Sequence, residues 1–115
     1  MKRKDPFGPV SHLIGEPGFP SKEALGSFCL AVGLFHERKV DPGKGPPRSW
    51  DPTKYDAWPM IELIAYRAGI VADDRSRMRE LLYTYFLAGV EMVEKTVGKR
   101  SGLSALKELS SFVPP

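Results

Sequence analysis

Apolar residues recur along this chain at the three-four spacing of helices, and nowhere with the sustained alternation of a half-buried strand. The first stripe runs through Leu25, Phe28, Cys29, Val32 and Phe35. It predicts a helix opening after Ser21, whose hydroxyl can accept from first-turn N–H groups while Glu23 sits near the positive end of the dipole. Gly26 and Gly33 lie inside this stripe. Each costs about 1 kcal/mol of helix propensity relative to Ala, so both are expected to mark places where another element packs closely on the backbone.

A second helix is expected from Asp56 as N-cap, with Pro59 in its first turn, an inward face of Met60, Ile61, Ile64, Ala65 and Ala68, and Gly69 as the stop. A third, capped by Asp73 or Asp74, reaches toward Gly98. At about 100° per residue its Met78, Leu81, Leu82, Tyr85, Phe86, Gly89 and Val93 share one face, and Glu80, Thr84, Glu91, Glu94 and Lys95 the other. Tyr83, Leu87 and Val90 put apolar groups on the flanks, so the middle of this helix is either central to the domain or an oligomer interface. A last helical stripe passes through Leu103, Leu106 and Leu109 or Phe112, and Pro114 and Pro115 end it.

Proline placement divides the chain. Four prolines fall in the first 20 positions, five between Pro42 and Pro59 and two at the end, with none from Met60 to Val113. Proline is excluded from helix interiors, so these clusters mark where regular structure is absent. The fold expected is all-α: a small orthogonal bundle of three to four helices, with an extended Pro/Gly-rich leader (1–20) packed on the body. The remainder, 21–113, is a single helical domain containing one long loop (37–56). A chain of 115 residues has room for one compact domain, which excludes a two-domain enzyme.

Charge and cysteine content set the context. Seventeen Lys and Arg against fourteen Asp and Glu leave +3, too small an excess to identify a nucleic-acid binder by itself. The lone Cys29 rules out an intrachain disulfide and suits a reducing cytoplasm. The basic start MKRKDPFGPV is followed by no apolar h-region, and no run approaches the roughly 18 apolar residues of a membrane span. A cytoplasmic protein without a membrane partner is the expectation.

Candidate chemistry is sparse. His12, His36 and Cys29 show no C-x-x-C, H-x-x-x-H or H-E-x-x-H spacing, so no metal or cofactor is assigned. Cys29 sits within the apolar stripe, where a small buried hydrophobe is the better reading than a nucleophile, and no catalytic residue is assigned. Gly43-Lys44-Gly45 lacks the full phosphate-binding run and is followed by Pro46. The long loop is the stronger candidate: Arg38, Lys39, Lys44 and Arg48 could neutralise phosphates while Trp50 stacks on a base. The alternative is that the tryptophans cap the core and the charges are solvated. Arg75, Arg77 and Arg79 open the third helix beside Asp73, Asp74 and Glu80, and a solvated face is the preferred reading for them.

Phe28, the run Ala31-Val32-Gly33-Leu34-Phe35 followed by Arg38, then Ile61 to Ala65 and Tyr85-Phe86-Leu87-Ala88-Gly89-Val90-Glu91 carry a likeness to a known family. Over Phe28 to Val93 the chain resembles the small accessory proteins encoded beside DNA phosphorothioation (Dnd) systems, of the kind called phosphorothioation-associated protein 4. The leader and the Pro-rich loop depart from that pattern. The resemblance implies a defence-linked setting and carries over no catalytic residues. The function expected is a non-enzymatic accessory protein of a DNA-associated complex, contacting DNA or an acidic protein subunit through the loop and forming a homodimer through Tyr83, Leu87 and Val90. The competing expectations are a transcriptional regulator using helices two and three, and a homodimeric protein adaptor that binds no nucleic acid.

Overall fold

The computed structural model describes residues 6–15, 18–41, 43, 45–67, 69 and 75–112. They form an all-α fold of four helices: α1 (Lys22–Phe35), α2 (Trp58–Arg67), α3 (Arg75–Val97) and α4 (Gly102–Leu109). No strand forms among the described residues; one isolated parallel bridge joins Ile14 to Phe19. No helix among them is long and apolar enough to cross a membrane.

Helix α1 starts as its sequence predicts, with the Ser21 hydroxyl accepting from the Ala24 N–H at 3.1 Å. Its burial is wider than one stripe. Leu30 and Leu34 are buried along with Leu25, Cys29 and Val32, so α1 is enclosed on several sides along its middle, while Lys22 and Glu23 at its start and Phe35 at its end, beside the His36 ring, are exposed. At that end Glu37 takes a left-handed φ of 53°, with its N–H on the Leu34 carbonyl and the Arg38 N–H on that of Gly33. These two bonds close the helix as a glycine at this position commonly would.

The central contact is between α1 and α3. A Cβ placed on Gly33 would overlap the carbonyl of Tyr85, and one on Gly89 would overlap the carbonyl of Cys29. Cys29 and Gly33 are four residues apart, as are Tyr85 and Gly89, so on each helix a glycine and a carbonyl one turn before it share a face, and the two backbones meet there. Gly26 does a related task for a different partner, because its missing side chain leaves room for the Tyr55 phenol.

Helix α2 begins at Trp58, one residue later than a cap at Asp56 implies, with the Ala57 carbonyl accepting from Met60 and Ile61. Its inward face is Ile61, Ile64 and Ala65; Met60, expected inward, is turned to solvent. Gly69 ends it with φ of 80°. The caps expected at Asp73 and Asp74, the inward Ala68 and the stop at Pro114 and Pro115 lie outside the described residues. Helix α4 rests on the end of α3 through Ala105 and Leu109, whereas Leu103, expected on its inner stripe, faces solvent.

The leader differs from expectation. Gly8–Leu13 is wound into a 3-10 helix with Pro in its first turn, where a missing N–H costs nothing, and it buries Phe7, Val10 and Leu13. Apolar residues in the leader therefore complete the core, and Phe7 meets Phe86 of α3 edge-on with ring centroids 5.2 Å apart.

Gly33→Ala and Gly89→Ala are each expected to lower stability by about 1–3 kcal/mol, because the added methyl must separate two backbones. Gly8→Ala, with nothing within 4 Å of its added Cβ, is the control. Denaturant melts compare them, and an unchanged midpoint for both helix variants would contradict the contact.

Candidate nucleic-acid interface

The loop leaving α1 is held to α3 at two places. Near its start the Val40 N–H donates to the Thr84 carbonyl at 3.1 Å, and Lys39 Nζ lies 5.5 Å from the centre of the Tyr85 ring. Further on, Arg79 reaches across: its Nε donates to the Trp50 carbonyl at 2.8 Å and its Nη2 to the Pro47 carbonyl. The Trp50 N–H closes the turn on the same Pro47 carbonyl at 3.0 Å. Residues 79 and 85 are about 9 Å apart along a helix, so both anchors use fewer than two turns of α3.

This geometry sorts the residues singled out from sequence. Arg38, Lys39 and Arg48 are exposed, and none is in an ion pair among the described residues. Lys44 lies outside the described residues. Trp50 is only 3% exposed, its ring 5.1 Å from Tyr83 and 5.3 Å from Phe86, so it caps the core and does not present a face for base stacking. That corrects its expected role, in favour of the alternative that the sequence left open. The indole N–H has no well-formed hydrogen-bond partner, although it sits where it acts on the Tyr55 phenol.

Tyr83 and Val90 are also buried, and Leu87 packs half-buried against the core. The oligomer interface expected at these three is therefore not presented by this fold: the apolar flanks of α3 receive Trp50 on one side and the rest of the core around them, because α3 is central. Arg79 moves in the opposite sense. Placed on a solvated face from sequence, it is half-buried and acts as the clamp of the loop, because the Pro47–Trp50 turn offers it two carbonyls.

Cys29 and His36 are not brought together, since the thiol is fully buried and the imidazole lies exposed beyond the helix end. Burial pushes the Cys29 thiol from 9.0 up to about 12. Burial first, and the adjoining Cys29 second, push the Tyr55 phenol well above its ordinary value, against a lowering influence from Trp50. No group of three or more metal-ligating side chains occurs among the described residues. Two clefts share Trp50 and Asp51 in their lining, one of about 470 Å³ bordered by Lys22, Lys54 and Tyr55, the other of about 560 Å³ bordered by Arg48, Trp58, Glu62 and Met78.

No family model, curated protein sequence or solved structure matches the chain.

Arg79→Ala is expected to cost about 1–3 kcal/mol through the lost charge-assisted bonds, to red-shift tryptophan emission and to speed proteolysis between residues 38 and 57. Unchanged cleavage would show that the clamp does not hold the loop. The folded state keeps the Cys29 proton above pH 9, where an unfolded chain releases it, so the unfolded state binds fewer protons and stability falls between pH 9 and about 12. Tyr55 acts in the same direction from its higher starting value. Denaturant midpoints against pH should show the decline, and Cys29→Ala should flatten its lower part; a wild-type midpoint constant across that range would contradict the burial of both groups.

Proposed function

We propose that the protein is a non-enzymatic binding module whose basic loop contacts nucleic acid, as an accessory subunit of a DNA-associated complex. The observation that carries this reading is the mounting of Arg38, Lys39 and Arg48: three exposed cations on a loop fixed to α3 by backbone and Arg79 hydrogen bonds. A loop already held in place loses less conformational freedom on binding, so its cations are better spent on phosphates than those of a free tail. With Trp50 committed to the core, the contact is to the phosphate backbone, which positions a partner without reading sequence. The resemblance to phosphorothioation-associated accessory proteins supplies the setting, a DNA-modification or defence assembly in the cytoplasm.

Fluorescence anisotropy with a labelled generic duplex tests this. Affinity should fall steeply as salt rises, and Arg38→Ala and Arg48→Ala should each weaken binding to all sequences alike and reduce the magnitude of the log–log salt slope by about 0.9. Absence of binding at low salt would overturn the nucleic-acid reading. A strong preference for one duplex sequence would replace it with the regulator.

A further inference from the structure

Helix α2 carries an apolar stripe on the side away from the core. Met60, Leu63 and Tyr66 are 60%, 54% and 70% exposed, and they recur every three residues, which keeps them on one face over two turns. Single exposed apolar residues are ordinary; three in line, including an aromatic and a methionine, form the contiguous kind of patch that marks a contact surface. The same helix already spends Ile61 and Ala65 on the core, so the outward stripe is surplus to folding.

The charges around the stripe say what fits it. Asp56, exposed in the turn ahead of the helix, lies four residues before Met60 and thus at its acidic end; Arg67, exposed in the last turn, lies four residues after Leu63 at its basic end. We infer that this face of α2 pairs with the same face of a second copy of the chain, antiparallel and two-fold about Leu63. In that arrangement Leu63 meets its symmetry mate and Met60 of each copy covers Tyr66 of the other. Arg67 then falls opposite position 59 of the other copy, at the end of the contact where that copy's Asp56 stands in the turn ahead of the helix. Each end of the contact gains an opposite-charge pair, and the two helix dipoles oppose. A parallel pairing would set Arg67 against Arg67 and lose both.

Such an isologous contact is self-complementary by construction, which a polar or uniformly charged partner would not exploit. A ten-residue helix is about 15 Å long, which keeps the contact below the ~800 Å² per partner of a standard interface. The dimer is therefore one that dissociates on dilution. It is independent of the basic loop, and the two proposals stand or fall separately.

Sedimentation equilibrium on the full chain over a wide concentration range tests the pairing. The wild type should pass from monomer to dimer mass, and Leu63→Glu, at an exposed position, should raise the dissociation constant at least about tenfold with unchanged helical circular dichroism. Arg67→Glu should weaken association, and adding Asp56→Arg to it should restore it. Leu63→Cys should form a disulfide-linked dimer under oxidation, to which the buried Cys29 does not contribute. A wild type that stays monomeric at the highest concentrations, an unaffected Leu63→Glu dimer, or a charge swap that fails to rescue would each overturn the proposal. So would a monomer that instead binds lipid vesicles and loses that binding in Leu63→Glu, which would assign the patch to a membrane surface.

Discussion

The backbones of α1 and α3 touch, and most of the architecture follows from that. Two helices whose side chains interdigitate normally keep their axes 8–10 Å apart. Gly33 and Gly89 remove the side chains at the crossing, so the carbonyls of Tyr85 and Cys29 occupy the space that Cβ atoms would fill. The approach draws Leu30, Leu34, Leu82, Phe86 and Val93 into one fully enclosed core. The two glycines lower helix propensity locally, and the burial that their absence of side chains permits offsets this.

Around that crossing the less regular parts of the chain are fastened by aromatic rings. Phe86 is met by Phe7 from the leader and Trp50 from the loop, and Tyr83 stacks beside it at 5.9 Å. Tyr55 enters the notch at Gly26 from a third direction. Both Pro-rich segments are therefore parts of the core that happen to lack helical periodicity. Pro9 and Pro52 fit because each lies in the first turn of a 3-10 helix, where no internal N–H is needed.

Much of the fold was legible from spacing: the helical class, the start of α1 at Ser21, the close approaches at Gly26 and Gly33, and the ends at Gly69 and Gly98. What spacing could not supply was the direction from which each partner arrives. Met60 and Leu103 share periodicity with inward residues, yet face solvent, because a short helix shows too few turns to fix which edge of its apolar arc meets the body. Trp50 could equally have been a stacking platform or a core cap, and only the proximity of Tyr83 and Phe86 decides between them. Arg79 was beyond reach for a similar reason. Its partners are carbonyls, which every residue carries, so no pattern of side chains announces them. Of the candidate site, the exposed cations Arg38, Lys39 and Arg48 were readable by type and position, and the clamp that orients their loop was not.

The use of carbonyls by Arg79 separates the path of the loop from its chemistry. Residues 48 and 49 form the tip of the turn between Pro47 and Trp50, with their side chains pointing outward and the turn's shape dictated by atoms that no substitution at those two positions alters. The tip behaves as an interchangeable head on a fixed mount. A lineage or an engineer could exchange Arg48 for an acidic, aromatic or small residue and so change the chemistry that the loop presents, while the helices beneath remain as they are.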